Sequence, residues 1–286
     1  MQKTILVTGA STGIGFDSTR ALIAAGFEVI ATVRKNEDEA HLKKVFGQKV
    51  HVIKIDVANF DAVESLPSLI KKMGFERLDG LVNNAGVAMA APFLHQPFSE
   101  VQDMIQVNVL SLMKVTQVLL PLLGARVGEK NPGRIVNISS IAGQMAAPFL
   151  SVYAASKFAV EGFSEGLRKE LLLFGIKVIT IGPGTIKTPI WQKGFAVVKE
   201  KYNQTAYSTS FKRFISIALK SETNGLEVSE VSNDVVKALQ LRNPAFSYAP
   251  IPNKMTNLYI PKLLPTKTLN RLTAKVLGLN PPAKVD

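Results

Sequence analysis

Residues 4–15 read TILVTGASTGIG, and this stretch decides the fold class of the chain. The apolar run 4–7 is typical of a strand buried on both faces, and it leads directly into a turn with three glycines. Gly9 suits a tight turn, Gly13 would let the backbone approach a phosphate, and Gly15 would permit close packing of the next helix. The N-terminal amides of that helix would face an anion. The stretch therefore predicts a nucleotide-binding turn, with an ordinary glycine-rich turn as the alternative.

The remainder of the chain alternates short apolar runs with longer helical patterns. Strands are predicted at residues 4–8, 28–33, 50–56, 80–82, 133–139, 177–181 and 245–248, and helices at 13–25, 37–45, 61–73, 99–123, 152–174 and 229–240. Such alternation implies right-handed crossovers and a parallel sheet covered on both faces. We therefore predict an α/β fold: a Rossmann-type doubly wound parallel sheet of about seven strands, in a single domain spanning residues 1–286.

Two segments depart from this alternation. The aromatic-rich insert at 189–221 follows the last internal strand, and we expect it to cover the substrate crevice at the carboxyl ends of the strands. A Pro-rich extension occupies 243–286, where six cations face one acid, a local charge of +5. Its cations Lys267, Arg271 and Lys275 recur every four residues, which is typical of a basic amphipathic helix. Such a helix rests on an anionic membrane surface or docks on its own protein, and both readings stay open.

Composition narrows the class of protein. Among 286 residues, 47% are hydrophobic and 20% charged, which excludes intrinsic disorder. The absence of cysteine excludes disulfides and a thiol nucleophile, and is compatible with a reducing, cytoplasmic location. With only three histidines, far apart, no metal site is expected. The net charge of +12 suits an anionic ligand, an anionic membrane or nucleic acid, but no nucleic-acid motif is present, so no such partner is expected.

Two basic residues, Arg34 and Lys35, follow the second predicted strand. A site for NAD would place a carboxylate there to hold the ribose 2′-hydroxyl, whereas a site for NADP favours an Arg for the 2′-phosphate. No acid occupies the strand end, and Ser11 could donate to the same phosphate. The pattern favours NADP(H) over NAD, with a solvated Arg-Lys pair as the alternative.

Tyr153 and Lys157 lie four residues apart on a helical pattern and so share one helix face. An ammonium close to a phenol favours the phenolate and lowers its pKa, so the pair could exchange a proton near neutral pH. Thirteen residues upstream of the tyrosine, Ser140 ends a predicted strand and can reach the same crevice. A partly exposed surface pair is the alternative interpretation.

These motifs together resemble the short-chain dehydrogenase/reductase family over about residues 3–250. The resemblance rests on the glycine pattern at 8–15, Asn83-Asn84-Ala85-Gly86, Asn108, Ser140, the Tyr153–Lys157 pair and Pro183-Gly184. It implies that Tyr153 is the catalytic acid/base and that Lys157 holds the nicotinamide ribose and lowers the pKa of the phenol. It further implies that Ser140 hydrogen-bonds the substrate oxygen and that Asn108 supports a water-linked proton path. Gly182 is a departure, since many members carry a polar side chain there.

The same resemblance, joined to the residue-level reasoning above, defines a predicted cofactor site. Its members are Gly9, Ser11, Gly13, Ile14, Gly15, Arg34, Lys35, Asp56, Val57, Asn83, Ala85, Gly86, Tyr153, Lys157, Pro183, Gly184, Ile186 and Thr188. In the family the loop from Pro183 to Thr188 holds the nicotinamide carboxamide.

A predicted substrate wall joins Met145, Phe149 and Trp191 to Ser140 and Tyr153, although plain core packing explains the apolar members equally well. If they do line a pocket, the substrate is a bulky apolar steroid, retinoid or long-chain carbonyl, as in the hydroxysteroid and retinol dehydrogenase branch. The leading hypothesis is an NADP(H)-dependent oxidoreductase that interconverts a small-molecule alcohol with a ketone or aldehyde. The alternative is a non-catalytic NADP-sensing or scaffold protein on the same fold. A homodimer or homotetramer is expected, because relatives pair the two long helices between subunits.

Overall fold

A sheet of seven parallel strands forms the centre of the molecule. The structure, a computed structural model, describes residues 2–188, 195 and 200–280. The strands are β1 (Thr4–Val7), β2 (Glu28–Val33), β3 (Val50–Lys54), β4 (Gly80–Asn83), β5 (Arg134–Ile138), β6 (Lys177–Ile181) and β7 (Ser247–Tyr248). Their order across the sheet is β3-β2-β1-β4-β5-β6-β7. The predicted doubly wound α/β fold is confirmed, with β7 only two residues long.

Helices connect and flank the strands. They are α1 (Gly13–Ala24), α2 (Asn36–Phe46), α3 (Phe60–Glu64), α4 (Leu66–Lys72), α5 (Phe98–Ile105), α6 (Ser111–Leu119), α7 (Ser151–Glu170), α8 (Ser208–Thr223), α9 (Val228–Gln240), α10 (Ile260–Leu263) and α11 (Thr266–Leu277). No helix in the described ranges is both long enough and apolar enough to cross a membrane.

The sheet is buried on both faces, which explains the continuous apolar runs of its strands. Ile5 and Val7 pack in one core cluster with residues of α1 and α9. Leu6, between them, packs on the opposite face with residues of α4, α6 and α7. Because successive strand side chains point to opposite faces, a strand covered by helices on both sides is apolar at every position.

The strand order of the sheet reverses at β1. The strands β2 and β3 follow on one side of β1, and β4 to β7 follow on the other side. Leu6 pairs with Ile30 of β2 on one side and with Leu81 of β4 on the other, so β1 lies between the two halves. In open α/β sheets, ligands bind at the carboxyl ends of the strands where this reversal occurs. The topology therefore positions the glycine turn after β1 at the natural ligand crevice.

Three predicted helices differ from the observed ones. The helix predicted at 99–123 is interrupted by a π-helical turn at Gln106–Leu110 and ends at Leu119. The helix predicted at 61–73 is two helices, because Pro67 sits in the first turn of α4, where a proline starts a new helix. The helix predicted at 152–174 ends at Glu170 and is followed by a 3₁₀ turn.

The described parts of the insert and the extension fold back on the loop before α7. Phe149, Phe195, Tyr202, Phe211 and Phe214 form a buried cluster that we call the aromatic cap. Neighbouring ring centroids within it lie 5.2–6.2 Å apart. The helix α11 joins this cluster through Leu277. The insert and the extension thus contain α8 and α11 rather than only short irregular pieces.

Candidate active site

A cleft of about 810 Å³ runs past the carboxyl ends of β1 to β5. Its lining draws residues from the turn after each of the first four strands, from the end of β5, from α7 and from the loop after β6. Thirteen of the predicted cofactor residues line it: Gly9, Ser11, Gly13, Ile14, Arg34, Lys35, Asp56, Val57, Ala85, Gly86, Tyr153, Lys157 and Thr188. The topology therefore gathers one surface from residues as far apart in sequence as Gly9 and Thr188.

The glycine turn has the geometry that its sequence predicts. Gly9 and Gly13 have φ of +65° and +56°, a left-handed conformation that glycine adopts without steric cost. A Cβ on Gly15 would lie 2.2 Å from the carbonyl oxygen of Gly9 and 2.4 Å from Nδ2 of Asn84. Because these are fixed backbone and hydrogen-bonded atoms, only glycine fits where α1 meets the turn.

Asn84 holds this turn in place through hydrogen bonds, a role that the sequence pattern did not indicate. Its Nδ2 donates to the carbonyl oxygens of Thr8 and Gly9, both at 2.9 Å, and its backbone amide donates to Oγ1 of Thr8. Asn83, the predicted cofactor ligand, is instead buried and donates to Thr116 and Asn137 at 2.9 Å. The Asn83 side chain is thus absent from the cleft lining, which Asn84 joins, and the predicted contact of Asn83 with the cofactor stays a prediction.

Two cations and one carboxylate line one end of the cleft. Arg34 and Lys35 are exposed where β2 ends, and Asp38, half-buried on the first turn of α2, joins them in the lining. The sequence indicated a helical position for Asp38 but not that it faces the cleft. This end therefore favours an anion, with Asp38 partly opposing that preference.

Part of the predicted nicotinamide loop does not line the cleft. The backbone amide of Gly184 donates to Pro250, and a Cβ on Gly184 would lie 3.1 Å from side-chain atoms of Ile251 and Pro252. Ile186 is buried and forms a parallel bridge with Leu226. Pro183 is also buried, and of this loop only Thr188 is in the lining. The loop is thus held from behind by the chain after β7, a contact that the local sequence does not encode.

Tyr153 lies in α7 at the inner end of the cleft, hydrogen-bonded to the side chain of Ser140. It is 9% exposed and packs with Ala88, Met104 and Val152. Burial raises the pKa of the Tyr153 phenol above its usual value, and the hydrogen bond to Ser140 partly opposes this. Removal of the phenol from water sets the direction of this shift, and the lowering of the pKa by Lys157 stays a prediction.

Lys157 lies one helical turn further along, with its Nζ 5.9 Å from the centre of the Tyr153 ring. The ammonium is buried and donates to the carbonyl oxygen of Ile138 at 3.0 Å. Burial lowers the pKa of the Lys157 ammonium to about 8, and the negative charge of Glu161 raises it. Glu161 lies a further turn along α7, and the sequence reasoning missed it.

Asn108 sits at the centre of the π-helical turn and is buried. Its Oδ1 accepts from the amide of Val87 at 2.8 Å, and its Nδ2 donates to the Val87 carbonyl and to Ser156 Oγ. A Cβ on Gly86 would lie 3.2 Å from Asn108 Oδ1 and 3.8 Å from Lys157 Nζ. Asn108 therefore lies directly behind the Gly86 backbone, outside the cleft lining, and holds the loop after β4 against α7.

The predicted substrate wall is only partly assembled. Phe149 is buried in the aromatic cap, so that prediction is wrong for its side chain, which packs on Phe211 and Phe214. Met145 is half-buried and does not line the cleft, and Trp191 lies outside the described residues. Instead, Val87, Ala88 and Met89 line the cleft beside Tyr153, and the hydrophobic pattern of the sequence did not distinguish them.

The cleft fits a dinucleotide cofactor. It joins a cationic end to a glycine turn that closes on a helix N-terminus, where phosphate is stabilised by free backbone amides. Beyond the turn lie Gly86, Thr188 and Lys157, with polar groups for a ribose and an amide. Tyr153 also lines the cleft.

Known proteins are similar in sequence to most of this chain. An NADPH-dependent 3-dehydrocapnine reductase of Ornithobacterium rhinotracheale is 35% identical over 273 residues, covering 95% of this chain and 96% of that protein. Estradiol 17-beta-dehydrogenase 2 of Mus musculus is 33% identical, over 91% of this chain and 70% of that one. A 3-ketodihydrosphingosine reductase of Bacteroides thetaiotaomicron is 32% identical, over 85% of each.

Solved structures agree with the sequence comparison. A closed form of serine dehydrogenase complexed with NADP⁺ has a TM-score of 0.71 and 29% identity, covering 86% of this chain and 93% of that chain. A family model described as short chain dehydrogenase matches residues 3–198. Because that match spans more than half of a chain whose fold and relatives agree with it, the chain belongs to the short-chain dehydrogenase/reductase family.

Proposed function

We propose that this protein is an NADP(H)-dependent oxidoreductase that interconverts a ketone or aldehyde with the corresponding alcohol. The observation that carries the proposal is the position of Tyr153. Its hydroxyl is hydrogen-bonded to Ser140 and lies in an apolar pocket at the inner end of a dinucleotide-shaped cleft. A buried phenol that opens on a cleft is suited to exchange a proton with a bound substrate.

We propose that Tyr153 donates the proton when the carbonyl compound is reduced. Because burial raises the pKa of Tyr153, the phenol keeps its proton at neutral pH and can deliver it to a carbonyl oxygen. NADPH, when bound, supplies a hydride to the carbonyl carbon, so hydride and proton together convert the carbonyl to an alcohol. We propose that Ser140 orients the phenol through their hydrogen bond, and that the Lys157 ammonium stabilises negative charge that develops on the phenol.

The cofactor is NADP(H). Arg34 and Lys35 supply cations at the end of the cleft where the adenosine 2′-phosphate would lie, and Ser11 shares that cleft. A relative described as NADPH-dependent covers 95% of the chain, and a structural neighbour was solved with NADP⁺. Both support the same cofactor for this chain.

The substrate we propose is a bulky apolar carbonyl compound, of the long-chain or steroid type. Val87, Ala88 and Met89 give an apolar lining beside Tyr153, which would desolvate such a substrate. Relatives named for 3-dehydrocapnine, 3-ketodihydrosphingosine and estradiol support the class, and two of them are named as reductases.

Substitution of Tyr153 by Phe tests the catalytic proposal. The change keeps the ring and removes the hydroxyl, so we expect turnover of an active carbonyl substrate with NADPH to fall by about 10²–10⁴-fold. NADPH affinity, measured by fluorescence titration, should stay within a few-fold. Tyr259→Phe, in the exposed C-terminal extension, is the matched control and should leave turnover unchanged. Turnover within a few-fold of wild type for Tyr153→Phe would contradict the proposal and leave a nucleotide-sensing role.

Titration with both nucleotides tests the cofactor. A charge-assisted hydrogen bond to the 2′-phosphate contributes about 1.5–3 kcal/mol, so NADPH should bind at least about tenfold more tightly than NADH. Arg34→Ala should remove most of that difference by weakening NADPH binding alone. Lys49→Ala, an exposed cation at the start of β3, serves as the control for net charge. Equal affinities of the wild type for NADPH and NADH would contradict the proposed contact of Arg34 with the 2′-phosphate.

We also propose a homodimer or homotetramer that pairs the region of α5 to α7. Large apolar side chains are exposed there, including Phe98, Leu110, Phe158 and Leu172. Large exposed apolar side chains in and directly after these helices favour a subunit interface there. Sedimentation that finds only monomer at micromolar concentration would refute this. The cytoplasmic location stays a prediction from the sequence.

A further inference from the structure

The chain after β7 exposes large apolar side chains that no part of the described chain covers. Leu263 is 83% exposed, and the other members of this set are between 44% and 63% exposed. The set comprises Met255, Tyr259, Ile260, Leu263, Leu272 and Val276. Large apolar side chains exposed to this degree, repeated within about twenty residues, mark a surface that contacts an apolar phase or a partner.

The same stretch of chain contains basic residues and no acidic residue. Between residues 243 and 280 the chain has no Asp or Glu. Five cations lie in this stretch, and none forms an ion pair with a described carboxylate: Lys254, Lys262, Lys267, Arg271 and Lys275. Lys254 Nζ lies 5.7 Å from the centre of the Tyr259 ring, which joins a cation to an apolar side chain of the set. The stretch therefore combines apolar area with unopposed positive charge.

In α11 the two kinds of side chain form neighbouring rows. Lys267, Arg271 and Lys275 recur every four residues, and Leu272 and Val276 follow the cations by one position. All five are exposed, so the cationic row and the apolar row lie side by side on the outer half of the helix. Long basic side chains beside an apolar row can keep their charges in water while their stems cover apolar surface.

The inner side of the chain after β7 packs on the rest of the protein. Leu277 is buried against the aromatic cap, and Ser210 Oγ of α8 donates to the carbonyl oxygen of Gly278 at 3.1 Å. Leu258 is buried, and Lys262 donates to the side chain of Gln144 at 2.7 Å. The segment thus docks on the protein through one side and leaves its other side exposed.

We propose that the exposed side of residues 254–276, which we call the tail face, binds the surface of an anionic phospholipid bilayer. Exposed apolar side chains would enter the interface, and the unopposed cations would meet the anionic headgroups. A protein partner would need compensating acids of its own, whereas an anionic bilayer supplies both complementary charge and an apolar layer. The proposal concerns this surface alone and does not depend on the proposed enzymatic activity.

Co-sedimentation of the full-length protein with lipid vesicles tests this assignment. Vesicles of phosphatidylcholine with phosphatidylserine should bind at least about tenfold more protein than phosphatidylcholine alone, and added salt should weaken the binding. Substitution of Lys267, Arg271 and Lys275 by Ser removes three cations. Each cation contributes about fivefold to vesicle affinity, so the affinity of the triple variant should fall by roughly 100-fold. Leu263→Ser should weaken binding several-fold.

Matched variants separate this surface from the general positive charge of the protein. The triple variant Lys49→Ser, Lys71→Ser, Lys72→Ser removes the same charge from exposed positions elsewhere and should keep full vesicle binding. Leu94→Ser, at a leucine 75% exposed outside the tail face, should do the same. Circular dichroism and NADPH titration confirm that every variant is folded.

Three results would overturn the proposal. One is equal binding to the two kinds of vesicle, and another is an equal loss of binding in the control triple variant. The third is the absence of vesicle binding together with a change of sedimentation coefficient in Leu263→Ser, which would make the tail face a contact between copies of this chain.

Discussion

The glycine turn lines the cleft and the aromatic cap lies outside the cleft lining, and different forces hold the two regions. In the turn, Gly9, Gly13 and Gly15 are required by backbone conformation and by contacts shorter than any Cβ allows. The cap is a set of rings from separate parts of the chain, including Phe149 and Phe211, joined by apolar burial. The difference teaches that the turn depends on local backbone geometry, whereas the cap depends on tertiary packing of distant segments.

Removal of the most buried ring of the cap should give the largest loss of stability. Phe211 is 1% exposed and contacts Phe149 and Tyr202 with ring centroids at 5.2 Å, so Phe211→Ala should lower the free energy of unfolding by about 3–5 kcal/mol. Denaturant titration measures this loss. Phe93→Ala, at a ring 63% exposed, should change it by less than about 0.5 kcal/mol. If the folded Phe211→Ala protein also lost most of its NADPH affinity, the cap and the turn would not be separate units.

In the glycine turn, the addition of a single methyl group should cause the next largest loss of stability. A Cβ on Gly15 meets the Gly9 carbonyl oxygen at 2.2 Å, so Gly15→Ala should cost about 1–3 kcal/mol of stability and weaken NADPH binding. Gly162→Ala is the matched control in α7, because no atom lies within 4 Å of its Cβ position. That change should stabilise the protein by up to about 1 kcal/mol, since alanine favours a helix. Equal stability of the two variants would contradict the tight contact at Gly15.

The third prediction concerns Glu161, which is expected to set the pKa of Lys157. The Glu161 charge raises the pKa of Lys157, so Glu161→Gln should lower that pKa below its value of about 8. Lys157 then loses its proton at a lower pH, and the alkaline limb of the turnover profile should move to lower pH. At pH 8 the loss of charged Lys157 should reduce turnover by about twofold to fivefold. Glu165→Gln, one turn further along and exposed, should leave the profile in place. A profile for Glu161→Gln that overlays the wild type would remove this role.

The smallest expected effect concerns the cationic end of the cleft. Asp38 lines the cleft with Arg34 and Lys35, where its negative charge opposes a bound phosphate. Asp38→Asn should therefore tighten NADPH binding by about twofold to fivefold, the range for a solvated charge pair, and leave NADH unchanged. Glu37→Gln removes the same charge from an exposed neighbour outside the cleft lining and should have a smaller effect. Weaker NADPH binding by Asp38→Asn would show that this carboxylate supports the site instead.

The strands, the glycine turn and the Tyr153–Lys157 pair were determined by the sequence itself. Each depends on interactions within a few residues: apolar runs for strands buried on both faces, positive φ for glycine, and helical spacing for the pair. Asn84, Asp38 and Glu161 could not be assigned in this way. Their roles follow from contacts with residues brought close by the fold or from the direction in which a side chain points.

Tertiary structure alone decided the contacts that cross the chain. The amide of Asn84 reaches Gly9, 75 residues away, and Lys262 reaches Gln144 across 118 residues. Phe149 could line a pocket or fill a core on sequence grounds, and only the arrival of α8 and α11 places it in the core. Local periodicity encodes which face of an element is apolar, but the element that covers it is chosen by packing of the whole chain. For that reason the sequence determined the sheet and its nucleotide turn, while the cap, the π-helical turn behind Gly86 and the exposed face of the tail emerged only from the assembled fold.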